Sequence, residues 1–231
     1  MGRNTGLRVL DKGFIEVIDT LGNDLTVVNS ARVSFGKRKE KFTSSDAKLV
    51  KYLAKHKHYS PFRHIQAQFH IKAPEFVMRQ WYKHVVGIET TSNSSTKDHA
   101  WNEISGRYTP VIDYYVPTEY RAQSDDNKQA SEGLIAKQVT AEYVWEDAVL
   151  YAKEAYTKLL DLDVAKEQAR AILPLSQYTE VYWTASFQAI MNFIELRYEK
   201  TAQWEIQEYA RVMLEQVHEL FPETTKAWVD K

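Results

Sequence analysis

Residues 64–73 read "HIQAQFHIKA", with Ile65, Ala67, Phe69 and Ile71 on one side of a period-two alternation and mostly polar residues on the other. That pattern predicts a half-buried strand. Pro74 follows, and "EFVMRQWYKHV" (75–85) switches to helical spacing, with Pro74 expected at N1 of the helix. The chain before it supplies a second strand or hairpin over 7–19, "LRVLDKGFIEVID", and a turn at 22–24, "GND". Asn23 or Asp24 is expected to cap a helix running to Phe35. Next come a charged loop, a helix capped by Ser44 or Ser45 with Leu49, Tyr52 and Leu53 on one face, and a turn ended by Pro61.

After the pivotal segment, residues 86–100 are expected as loop, 111–116 as a short strand and 124–133, "SDDNKQASEG", as an exposed polar loop. Helices are expected over 134–160 and 163–173, the latter stopped by Pro174. "YTEVYWTASF" is β-like, and "QAIMNFIELRY" and "AQWEIQEYARVMLEQVHELF" are helical. Strands and helices mix without strict alternation, so the expected class is α+β, a mixed or antiparallel sheet with packed helices. With no repeat and no linker, residues 1–231 are expected to form one domain.

The totals narrow the function. A net charge of −1 gives no global field to recruit nucleic acid or membrane, so any bound anion needs a local Arg/Lys cluster. The absence of cysteine removes thiolate metal sites and every cysteine-nucleophile mechanism. It also fits a reducing compartment. No apolar run reaches the length of a membrane span, and "MGRNTGLRVL" lacks a signal-peptide core, so the expectation is a cytoplasmic protein. There is no GxGxxG, no GxxxxGK[ST] and no HEXXH. His56, His58 and His64 could gather a metal, but no carboxylate stands at ligand spacing, so no metal is expected.

Three segments carry candidate chemistry. Gln80, Lys83 and His84 share a helix face, with a solvated face as the bland alternative. "NEISGRY" (102–108) packs an amide, a carboxylate, a hydroxyl, a flexible backbone N–H and a guanidinium into a few positions, and its alternative is a capped turn with an incidental ion pair. Arg197 lies on the same helix face as Ile190, Phe193 and Ile194. A buried arginine needs a partner. That partner is either structural, Glu205 or Glu103, or a polarised ligand oxygen.

In order along the chain, these segments resemble the flavin-dependent thymidylate synthase family (ThyX), whose signature has the form RHRxxSxNExSxRY. Its second half stands as "NEISGRY" and its first half survives in part as "KHV"; "HYSPF", "ARAILPLSQYT", "MNFIELR" and "AQWEIQ" extend the likeness over nearly the whole chain. The resemblance implies an α+β protomer in a homotetramer with active sites between subunits. It implies FAD as cofactor, with dUMP, NADPH and methylenetetrahydrofolate as the small-molecule substrates of a reductive methylation at C5.

By matching position, the resemblance assigns Gln80, Lys83, Glu103, Ile104, Ser105, Gly106, Arg107, Arg170 and Arg197 to dUMP. It assigns Ser60, Lys83, His84, Glu103, Ser186, Gln188 and Asn192 to FAD. Arg107 and Arg170 suit the phosphate, and Arg197 would sit on the uracil as the catalytic residue. Ser105 is assigned to binding, because no base stands at fixed spacing to activate it.

This chain departs from the pattern. Lys83 and Val85 replace the signature's two arginines, and Ser186 and Gln188 stand where relatives often carry Asn and Arg. "GIETTSNSSTKDHAW" (87–101) lengthens the signature from within. A longer loop costs little, so its ends can stay close. Either it compensates, with Lys97, His99 or Trp101 reaching FAD, or it is a surface excursion. Two other functions stay open: a related flavoenzyme making another 5-substituted pyrimidine nucleotide, separable by product mass, and a non-catalytic nucleotide-binding homologue, which would be colourless.

Overall fold

A computed structural model describes residues 6–84 and 100–231. Its centre is the expected strand, β3 (Gln66–Pro74), flanked by β2 (Gly13–Leu21) and β7 (Tyr178–Ser186). Outside these lie β1 (Leu7–Val9) and β4 (Ala100–Glu103), giving the order β1-β2-β3-β7-β4 with every neighbour antiparallel. Registers Ala67↔Ala185, Phe69↔Trp183 and Ile71↔Val181 put six buried side chains on one face. That face packs against α6 (Phe187–Arg197) and α7 (Trp204–Leu220). The other face is polar, carrying His70 Nε2 at 3.1 Å from a Glu180 carboxylate oxygen and Lys72 bonded to Asp113 at 2.5 Å.

The class is the α+β arrangement read from the sequence. Around the sheet lie α1 (Asp24–Arg32), capped by Asn23 as expected, and α2 (Ser44–Lys55). There follow α3 (Glu75–Trp81), α4 (Gln138–Asp161), α5 (Lys166–Ala169) and α8 (Pro222–Val229). The α2 cap is Thr43, not Ser44 or Ser45, because Asp46 completes a reciprocal capping box with Thr43. The buried face of α2 is Asp46, Val50, Leu53 and Ala54; Tyr52 points outward, its ring tilted against that of His56 with centroids 4.3 Å apart. Burial alone would raise the Asp46 carboxyl, but Arg32 and Lys39 both pair with it. Their hydrogen bonds, with those from Thr43, hold it well below the usual carboxylate range.

Other expectations shift. Pro61 does not end a turn but lies inside a 3-10 turn, Ser60–Arg63. Pro74 is the residue before the first turn of α3 rather than N1, and that helix stops at Trp81. Residues 111–116 supply only one bridge, Tyr114↔Gln177. The expected 124–133 loop is the tip and part of the returning strand of a hairpin, β5 (Arg121–Gln123) and β6 (Ser131–Leu134). The expected helix over 163–173 is α5 plus a 3-10 turn, Arg170–Ile172. The expected loop over 86–100 lies outside the described residues apart from Ala100, which is already in β4.

Candidate active site

Three groups of predicted site residues form three local arrangements. The first is a polar cavity of about 720 Å³ that gathers Glu103, Ile104, Ser105, Gly106, Arg107 and Arg170 with Glu75, Arg79, Glu167 and Thr179. β4 delivers the signature there: Trp101↔Trp183 and Glu103↔Val181 fix its register, and Ile104 N–H donates to Glu180 O at 2.9 Å. The chain then turns, with Ser105 O accepting from Tyr108 N–H at 2.9 Å and Thr109 N–H at 3.1 Å. Arg107 donates through Nε to Ser105 Oγ at 3.3 Å and lies over the Tyr108 ring.

Gly106 faces Arg170 across the cavity: a Cβ there would stand 3.4 Å from Arg170 Cδ. That is ordinary van der Waals contact, so Gly106 lies close against the Arg170 side chain. Glu103 accepts from Thr179 Oγ1 at 2.7 Å. Nearby Glu75 opens α3, and its carboxyl is raised by burial first and by Glu103 second, with Arg79 and Arg170 opposing. The cavity therefore offers guanidiniums, carboxylates and a turn of backbone to one ligand. Such a set suits an anionic molecule that also carries hydroxyl or N–H donors.

The second arrangement surrounds Arg197. Its side chain leaves the buried stripe of Ile190, Phe193 and Ile194 as expected. Neither Glu205 nor Glu103 is its partner. Its Nη2 donates to Gln80 O at 3.2 Å and Nη1 reaches Gln80 Oε1 at 3.5 Å, while Nε is buried without a partner. Burial lowers its pKa from the ordinary arginine value. Gln80 is itself oriented by Gln203, donating to its Oε1 at 2.8 Å. His84 stands edge-on to Phe193 at 5.3 Å, and burial, then the Arg197 charge, push it down to about 4. It is a neutral imidazole at pH 7. Glu205 instead takes Arg121 at 2.5 Å and Tyr115 Oη at 3.2 Å. Lys83 is exposed, with its ammonium 6.0 Å from the Tyr82 ring.

The third arrangement joins the Ser60–Arg63 turn to the start of α6. Ser186 caps that helix, accepting from Ala189 N–H at 3.3 Å. Gln188 is buried and accepts from Arg63 Nε at 2.7 Å. Asn192 follows one turn on, and Ser60 is exposed.

Among the described residues, the cavity is lined by none of Gln80, Lys83, His84 and Arg197. Sequence reasoning missed Glu75 and Arg63, and did not place Arg79 in the site. Glu75 and Arg79 are one helical turn apart, a signal the sequence carried; that they face Glu103 depends on β4 lying beside β7. The insertion and its Lys97 and His99 lie outside the described residues. Trp101 is in β4, with its indole N–H 3.4 Å from a Glu103 carboxylate oxygen. Among the described residues no group of histidine and acidic side chains is arranged to hold a metal, and no helix is long and apolar enough to cross a membrane.

A fold of this kind with such a cavity defines an α+β protein able to hold a small anionic ligand. Residues 16–223 match the family described as thymidylate synthase complementing protein. The chain belongs to that family, the flavin-dependent thymidylate synthases. It is 42% identical over 207 residues to the flavin-dependent thymidylate synthase of Thermosipho melanesiensis, covering 88% of this chain and 84% of that one. It is 41% identical to a flavin-dependent thymidylate synthase of Thermus thermophilus, over 93% of this chain and 74% of that one. Among solved structures it resembles the UMP/dUMP methylase PolB from Streptomyces cacaoi bound with 5-Br dUMP, with a TM-score of 0.82, 29% identity and 97% of each chain covered.

Proposed function

We propose that this protein methylates dUMP reductively to dTMP, with methylenetetrahydrofolate as carbon donor and FAD and NADPH as the redox pair. Arg107 and Arg170 hold the phosphate, assisted by the backbone around Ser105 and Gly106. Glu103 and Gln80 orient the nucleoside, and Lys83 contributes charge beside it. Ser60, His84, Ser186, Gln188 and Asn192 hold the flavin. The donor set fits an anionic dinucleotide: Arg63 lies among these residues with no carboxylate paired to it among the described residues. When bound and reduced by NADPH, flavin would supply the hydride for C6 of the pyrimidine, so the protein needs no nucleophile, in keeping with a chain that has no cysteine.

The observation that carries the reading is Arg197. Its guanidinium sits in an apolar setting, oriented by Gln80, with a neutral imidazole rather than an acid beside it. A cation so placed favours loss of the N3 proton from uracil and stabilises negative charge developing on the ring. Arg197 lies outside the cavity that would take the phosphate, which supports sites completed by a second copy in a homotetramer. The surface of α4 supports the same assembly: its 24 residues bury none, while Val139, Tyr143, Val144, Leu150 and Tyr151 are exposed. The expected setting is the cytoplasm.

The test is direct. Purified protein with FAD, NADPH, methylenetetrahydrofolate and dUMP should yield dTMP by mass; UMP run alongside reads the sugar preference. A yellow protein that oxidises NADPH with dUMP but forms no dTMP refutes methylation and leaves the flavoenzyme. A colourless protein that takes up no flavin refutes both.

A further inference from the structure

We infer that Arg63 is the residue that binds the diphosphate of the flavin cofactor in this chain, in place of the cation missing at Gln188. The inference rests on the flavin reading above. The family resemblance puts arginine at the Gln188 position, and Lys83 and Val85 stand at two further arginine positions of the signature, so by that resemblance the cofactor's phosphates face a charge deficit. The structure places a guanidinium beside the missing one. Arg63 closes the Ser60–Arg63 turn and reaches across to the first turn of α6, where its Nε donates to Gln188 Oε1 at 2.7 Å.

The chemistry of this contact is specific. Gln188 is 5% exposed, so its amide is a fixed acceptor. A neutral amide orients the guanidinium plane without cancelling its charge, which a carboxylate would do. The bond uses Nε alone. Among the described residues neither Nη1 nor Nη2 of Arg63 has a hydrogen-bond or ion-pair partner. A half-buried arginine held by one edge presents its other two nitrogens as a fork, the geometry that suits two phosphate oxygens. Ser60 stands on the same turn as Arg63 and Asn192 on the same helix as Gln188, both assigned to the flavin by the family resemblance. The guanidinium thus stands on the turn, one side-chain contact from the helix position where the resemblance expects it.

The experiment titrates FAD into apoprotein and reads flavin fluorescence, with circular dichroism to verify folding. Arg63→Gln should weaken FAD binding about 10- to 100-fold, the range for losing charge-assisted hydrogen bonds. Arg63→Lys keeps the charge, loses the fork and should fall between. Adding Gln188→Arg to Arg63→Gln should return the affinity to within about threefold of wild type, because it restores a guanidinium on the helix side of the same contact. A purely structural tie between turn and helix predicts no such rescue. Loss of less than about threefold in Arg63→Gln, or an unrescued double variant, overturns the proposal. Wild-type protein that takes up no FAD overturns the flavin reading itself.

Discussion

At the scale of the residue, Arg197 and His84 are coupled by charge. Arg197→Ala should lower turnover at least about 100-fold, as loss of a preorganised charge-stabilising donor does, while dUMP affinity falls modestly. A variant that fails to fold instead assigns Arg197 to structure. His84 makes a pH prediction. Its folded value, about 4, lies below the ordinary 6.5, so the folded state binds fewer protons between those limits. Stability contributed by keeping it neutral is therefore present above pH 6.5 and lost as pH falls toward 4. Wild type should lose on the order of 1–2 kcal/mol more than His84→Gln between about pH 7 and 5 in urea melts. Equal losses refute this placement of the imidazole. Arg197 was legible because one helix face carries it beside three apolar residues. Its partner was not, because Gln80 lies 117 positions away and an amide gives no charge signal. Glu75 and Arg63 were illegible for the same reason: their meaning depends on neighbours that only tertiary packing supplies.

At the scale of the element, strong periodicity was readable and weak periodicity was not. The segment around β3 alternates cleanly, and Ile65, Ala67, Phe69 and Ile71 are all buried. β4 has four residues, mostly exposed, and forms because β7 offers an open edge, so its own sequence could not announce it. The bridge at Tyr114 does not extend into a strand although its residues have β propensity. Asp113 and Tyr115 each make a single backbone bond to the loop around Gln177, the first accepting and the second donating. The turn before β2 is the tightest point in the sheet. A Cβ at Gly13 would fall 1.9 Å from Tyr209 Oη and 2.6 Å from Val9 O. Tyr209 is itself pinned by a 2.7 Å bond to Lys72 O. Gly13→Ala should thus cost about 1–3 kcal/mol in chemical denaturation. Unchanged stability would mean that the α7 contact is far softer than its geometry.

At the scale of the whole molecule, the exposed face of α4 and the groove of about 680 Å³ between it and Pro174–Ser176 set the expected assembly. Val144→Glu should break the proposed tetramer into smaller species in light scattering and abolish turnover together; an unchanged mass places this face in solvent. The proposed completion of each site by a second copy also has a consequence in genetics. Arg107→Ala removes a guanidinium from the cavity and Arg197→Ala removes the cation proposed to act on the uracil, so each variant alone should be dead. Mixed and reassembled, hybrids should contain about a quarter of sites that inherit neither lesion, since in the proposed tetramer each site draws Arg107 from one copy and Arg197 from another. A cell carrying two different broken alleles would then still make thymidylate, and the fraction of activity recovered would report which residues travel together on one chain.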